Sequence, residues 1–381
     1  MASKKNSAIL MMYASTEQDP DMLYRSGLFI PDPFLVFETN QGNTIAVVNQ
    51  LEYGRVKRES KFKDVWPLET IIKEIRKTKN IKKPELFDVA DYCLHLLEAS
   101  SIKIPSHFQA ELAFQLQSAG YRMEIVSGTF YPQREKKQNH EIRAIRYANR
   151  ASAAAIRKAE EVLQHSTIHK NTLVYDGKQL TSERLRAMID KTCLDYGCIP
   201  SNTIVAGGKQ ACDPHCQGSG PLRPNEFIII DVFPRDTRTG YYGDLTRTFL
   251  KGKASAAQKK LISTVQAAQK RAIDALAAGV SGQAIHNKVA NFFIQTGYKN
   301  ERSSFGPEGF IHGTGHGVGL ALHEAPRVSP SGPKLKENAV LTVEPGLYYP
   351  DIGGCRIEDV LRVKKGGAEK LSQLHYRWLI P

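Results

Sequence analysis

Four carboxylates each sit at the edge of a run of apolar β-formers: Asp231 in Phe227-Ile-Ile-Ile-Asp231, Asp244 in Asp244-Leu-Thr-Arg-Thr-Phe249, Glu344 in Val340-Leu-Thr-Val-Glu344, and Glu358 in Gly354-Cys-Arg-Ile-Glu358. Any one of them reads most simply as a strand-end charge turning into a loop. Together they constrain the fold more than any other feature. A carboxylate leaves water only when it is paired or bound to a metal, so strands carrying four must end in solvent or converge on a cation. Asp231 and Asp244 flank the turn-forming stretch Arg235-Asp-Thr-Arg-Thr-Gly240. A hairpin over 227–249 is therefore expected, with the two carboxylates opposite each other. At that range they repel, and need a cation or a shared proton.

A second segment concentrates imidazole. His312, His316 and His323 fall within twelve residues of a chain that has 11 histidines, and Gly313, Gly315, Gly317 and Gly319 are interleaved with them. Alternating glycine argues against a helix, so a helical H-E-x-x-H zinc site is excluded. In an extended segment His312 and His316 share a face, and the glycines admit close approach of other backbone or a ligand. Oxygen-rich sites with one imidazole suit Mn²⁺, Co²⁺, Fe²⁺ or Zn²⁺. Four carboxylates balance two divalent cations in charge, which favours a two-metal site. Cys193, Cys198, Cys212 and Cys216 follow no common structural-zinc spacing.

The length of 381 residues predicts more than one domain. Ala8–Tyr13, Phe34–Glu38 and Thr44–Val48 read as strands, and Leu68–Lys77 and Asp88–Glu98 as helices, an α/β layer pattern. The charged stretch Gln133–Asn139 interrupts the apolar pattern and reads as a linker, giving domains 1–135 and 139–381. Helices are expected over Glu141–Gln164, Thr181–Tyr196, Ala254–Ala278 and Ser281–Thr296. Strands are expected over Thr203–Ala206, Phe227–Val232, Gly243–Phe249, Gly317–Leu322, Ala339–Val343 and Gly354–Val363. Long helices and many strands without βαβ alternation make the second domain α+β.

Composition, 41% apolar and 24% charged, excludes a disordered or fibrous chain. The apolar runs are strand-sized, well short of the ~18 residues a membrane helix needs. Lys4 and Lys5 precede only the short run Ala8–Ala14, which argues against a secretory leader. Six cysteines suit a reduced, cytoplasmic compartment. The net charge of +13 lies mostly beyond residue 138. It is scattered, with no block of five basic residues and no aromatic-interleaved basic motif, so nucleic acid is not an expected partner.

The order Asp, Asp, His, Glu, Glu, with the segments Ile204-Val-Ala-Gly, Asp244-Leu-Thr-Arg-Thr-Phe, His312-Gly-Thr-Gly-His-Gly-Val-Gly-Leu, Glu344-Pro-Gly and Arg356-Ile-Glu-Asp, resembles the creatinase/aminopeptidase P/prolidase group of metallopeptidases. The resemblance covers about 139–365 well and the first 138 residues more loosely. It implies a C-terminal pita-bread catalytic domain after a smaller creatinase-like α/β domain. It implies that Asp231, Asp244, His316, Glu344 and Glu358 hold two divalent ions, with manganese favoured over cobalt or zinc and with Asp244 and Glu358 bridging. His215 and His323 match catalytic-site histidines, His312 matches a substrate-pocket histidine, and Arg356 matches an arginine beside the bridging carboxylates. The implied reaction is hydrolysis of an N-terminal Xaa-Pro bond by a metal-bridging hydroxide, with Glu344 moving the proton. A homodimer is also implied. The usual spacing of the first two aspartates is eleven, against thirteen here; an even extension keeps both on one face. Methionine aminopeptidase and a catalytically silent scaffold are the alternatives. An N-terminal domain disfavours the first, and an intact ligand set disfavours the second as well as the metal-free creatinase branch.

Overall fold

The computed structural model describes residues 7–304 and 306–381. The chain divides into two compact units, Met1–Arg134 and Glu135–Pro381. In the first, a six-stranded mixed sheet runs in the order Asp64–Pro67, Thr44–Val48, Phe34–Glu38, Ser7–Ala14, Ala99–Pro105, Arg122–Val126. Alternation along the inner strands sends Met11, Leu35 and Phe37 to one apolar layer and Met12, Val36 and Ala46 to the other. Helices cover both faces, as buried central strands require. The sequence reading missed three helices here, Pro20–Ser26, Gln50–Glu59 and Ala110–Ser118. Gln50–Glu59 buries only Val56, so it has no apolar stripe to reveal it.

The second unit has two halves, each with its own core. In one, the helices Asn139–His165 and Ser182–Asp195 pack on a four-stranded sheet, ordered Ile204–Gly207, Phe227–Val232, Leu245–Lys251, Leu379–Ile380. In the other, the helices Ala256–Ala275 and Gly282–Gln295 pack on a five-stranded sheet, ordered Glu324–Val328, Gly315–Gly317, Val340–Val343, Asp359–Lys364, Gly367–Lys370. Capping fixes the helix starts. Thr181 and Ser281 accept from the third residue beyond, and Ser255 with Gln258 closes a reciprocal box.

Three expectations are corrected. Asp231 pairs with Thr246, not Asp244, so the hairpin register is offset by two residues. The offset continues through the tip, where Arg235 bridges Tyr242 and Arg235–Asp236 pairs with Cys198–Ile199. An even offset leaves Asp231, Thr246 and Asp244 on one face. The expected strand Gly354–Val363 is two strands, Gly353–Arg356 and Asp359–Lys364, broken at Ile357-Glu358. Of Gly317–Leu322, only Gly317 is in a strand, and a turn follows it. The division between the units falls inside the expected linker, which is well packed: Arg134 and Lys137 are buried, and Lys137 is ion-paired to Glu324.

Candidate metal centre

The site forms where the two sheets of the second unit meet. Asp231 is the penultimate residue of the Phe227–Val232 strand and Asp244 immediately precedes Leu245–Lys251. His316 lies in Gly315–Gly317, Glu344 follows Val340–Val343, and Glu358 occupies the break before Asp359. The alternating glycines let backbone close in around the histidine. A Cβ on Gly315 would collide with the Thr342 carbonyl, and one on Gly317 with that of Ala325.

A cavity of about 490 Å³ is lined by all nine residues singled out in the sequence: His215, Asp231, Asp244, His312, His316, His323, Glu344, Arg356 and Glu358. Ligand atoms of Asp244, His316 and Glu358 lie within 4.8 Å of one another, the one such His/Cys/Asp/Glu group among the described residues; the cysteines form none. His316 Nε2 is 3.3 Å from Glu344 Oε1 and 3.6 Å from Asp244 Oδ2. Those distances would suit an ion pair, but burial pushes the His316 imidazole down to about 4, so it is neutral near pH 7. Its Nδ1 lies 3.1 Å from the Gly317 carbonyl. That contact assigns the proton to Nδ1 and leaves an Nε2 lone pair facing carboxylate oxygens, an arrangement a cation would satisfy.

The carboxylates give the same answer. Burial, then repulsion from neighbouring carboxylates, raises Asp244 and Glu358 well above the usual range. Asp231 Oδ1 and Glu358 Oε1 are buried without a hydrogen-bond partner. Their companion oxygens are held, Asp231 Oδ2 by Arg356 at 2.7 Å and Glu358 Oε2 by Thr246 Oγ1 at 2.7 Å. The residues fit a divalent cation: orphaned oxygens, a neutral imidazole and excess negative charge meet in one place.

Sequence reasoning missed two groups at the site, Tyr348 behind the cavity lining and Arg327 in it. Tyr348, fully buried, accepts from Arg356 at 2.9 Å and lies 2.8 Å from His312 Nε2. Since His312 Nδ1 faces the Gly313 carbonyl at 2.7 Å, the phenol donates to Nε2 and both imidazole nitrogens are engaged. Arg327 is exposed at the cavity wall, and its charge adds to burial in pushing His323 down to about 4. Tyr348, four residues beyond Glu344, carried no signal of its own; Arg327 could have been flagged as a cation four residues after His323.

Fold and site together define a metal-dependent hydrolase scaffold. Residues 143–365 match metallopeptidase family M24, and the chain belongs to that family. It is 36% identical over 260 residues to an uncharacterized peptidase of Methanocaldococcus jannaschii, covering 66% of this chain and 67% of that one. It is 34% identical over 174 residues to a Xaa-Pro dipeptidase of Pyrococcus horikoshii, covering 45% and 47%. The chain thus matches about half the length of that dipeptidase. The fold is that of an X-Pro aminopeptidase from Thermotoga maritima MSB8, with TM-score 0.79, 24% identity and coverage of 98% and 97%. It is the pita-bread architecture, with a smaller domain ahead of it.

Proposed function

We propose that the protein hydrolyses the Xaa-Pro bond at the N-terminus of peptides, as a dipeptidase or aminopeptidase of the prolidase type. The observation that carries this reading is the convergence of five candidate ligands and three histidines on one cavity. Asp231, Asp244, His316, Glu344 and Glu358 would hold two divalent ions, manganese favoured and cobalt or zinc admissible. Such ions would supply Lewis acidity and lower the pKa of a bound water towards ~7.

The chain's own residues supply the rest. Glu344, with 17% of its side chain exposed, is the carboxylate best placed to take the water's proton and pass it to the leaving prolyl nitrogen. His323, neutral near pH 7, can donate to the oxygen that gains charge as the carbonyl is attacked. His215 lines the same cavity. Proline offers no N–H and a rigid ring, so recognition rests on shape. Ile204, Phe233, Ile311 and Leu322 give the cavity apolar walls for it. His312, with both nitrogens engaged, contributes a ring rather than a hydrogen bond. Arg327 suits a substrate carboxylate, which favours the dipeptidase form. Domains 1–135 and 139–381, a homodimer and a reduced cytoplasmic setting, consistent with six free cysteines, belong to the same reading.

Hydrolysis of Ala-Pro, Ala-Pro-Pro and Met-Ala-Ser with Mn²⁺ supplied separates the readings. Cleavage of the first with little of the others is expected; cleavage of Met-Ala-Ser alone favours methionine aminopeptidase, and no cleavage favours a scaffold. Near-normal turnover by a metal-replete Glu344→Gln variant would remove Glu344 from its assigned role.

A further inference from the structure

Lys137 has a side chain only 1% exposed, and its Nζ lies 2.5 Å from Glu324 Oε1, itself on a side chain 6% exposed. Removing both charges from water is costly, and such a pair persists where the surrounding structure requires it. Lys137 is fixed from behind. Its N–H donates to the Asn338 carbonyl at 2.8 Å, and Lys136 bridges Ala339. Glu324 directly follows His323, and the turn that carries the histidine wraps around its carboxylate. Ala321 N–H donates to Glu324 Oε2 at 3.3 Å, Gly317 pairs with Glu324 across the strands, and a Cβ on Gly319 would collide with the carboxylate. The His323 ring lies 4.2 Å from that of His316. The aim of its imidazole therefore depends on the shape of this turn.

We propose that Lys137 and Glu324 are positioning residues, a buried ion pair that holds the 319–323 turn so that His323 faces the cavity. The inference rests on the reading of His323 as an oxyanion donor, and it gives the charged stretch before the first long helix a role in the reaction.

The test compares Lys137→Met, Glu324→Gln and the neutral double variant as manganese-loaded full-length protein acting on Ala-Pro. Each single variant is expected to lose about 100-fold in kcat, the scale of a small misplacement of a reacting group. KM and bound metal should stay within about twofold. The double variant should recover most of kcat, because Gln can still accept from Ala321 N–H and the two opposite charges are removed together; it also covers the case of a single variant that fails to fold. A second readout is free of turnover: the His323 imidazole resonance of metal-free, histidine-labelled protein, assigned with His323→Asn. It should move in the singles and stay put in Lys270→Met, an exposed control paired to Asp274. Unchanged kcat and an unmoved resonance in variants that melt earlier overturn the proposal, as does a loss confined to KM or metal content. Wild-type protein that cleaves no Xaa-Pro bond overturns the functional reading instead, while the resonance still decides the positioning role.

Discussion

Glu358 and Asp359 are neighbours in the chain, both almost wholly buried, and they live in opposite electrostatic worlds. Asp359 faces Arg247 at 3.0 Å, Ser372 at 2.8 Å, Lys370 at 2.9 Å, Gln269 at 3.1 Å and the Tyr376 hydroxyl at 2.5 Å. Burial opposes its ionisation, but Arg247 and Lys370 outweigh that and hold the carboxyl below the usual range. Glu358 faces Asp244, Asp231 and Glu344, with one hydroxyl donor and one orphaned oxygen, and its carboxyl is driven up. The strand opposite repeats the division: Thr246 serves the cavity, and Arg247 serves the closed side, donating also to the carbonyls of Glu358, Leu374 and His375. Burial is common to both sides, so burial does not make a site. What differs is whether the protein itself provides the countercharge.

The comparison can be broken in four ways. Asp244→Asn or Glu358→Gln should abolish binding of at least one metal ion, by elemental analysis, and cut Xaa-Pro hydrolysis by more than the 10–100-fold that supporting residues cost. Asp359→Asn should lower folding stability by about 3–5 kcal/mol in chemical denaturation, because Arg247 is left buried and unpaired. In the same assay on metal-free protein, Glu358→Gln should cost less than about 1 kcal/mol, since it replaces a carboxyl already disposed to be neutral. Equal losses for the two would erase the distinction. Manganese at about 100 times its Kd should add about 2.7 kcal/mol to the wild type and much less to Glu358→Gln. Tyr376→Phe should cost about 1 kcal/mol, one of the donors on Asp359, with metal binding intact.

Much of this was legible because it is written locally. An acid after four apolar β-formers, a Ser or Thr before a helical period, and glycine at every second position each carry their meaning within a few residues. The register of the 227–251 hairpin was not local. It depends on the tip docking against Cys198–Ile199, far upstream. The strand break at Glu358 is set by Thr246, 112 residues away, and Lys137 reads as linker until Glu324, 187 residues on, is placed beside it. Tyr348 escaped for the same reason, since its partners His312 and Arg356 come from other segments.

The halves of the second unit each pack a separate core, and the donors lie only along the seam between them. Neither half is a chelator by itself. Splitting the chain near Gly252 would part Asp231 and Asp244 from His316, Glu344 and Glu358, and would take Leu379–Ile380 from the sheet it edges. A bound cation would then work as a rivet, and its loss would register first as a loosening of the seam.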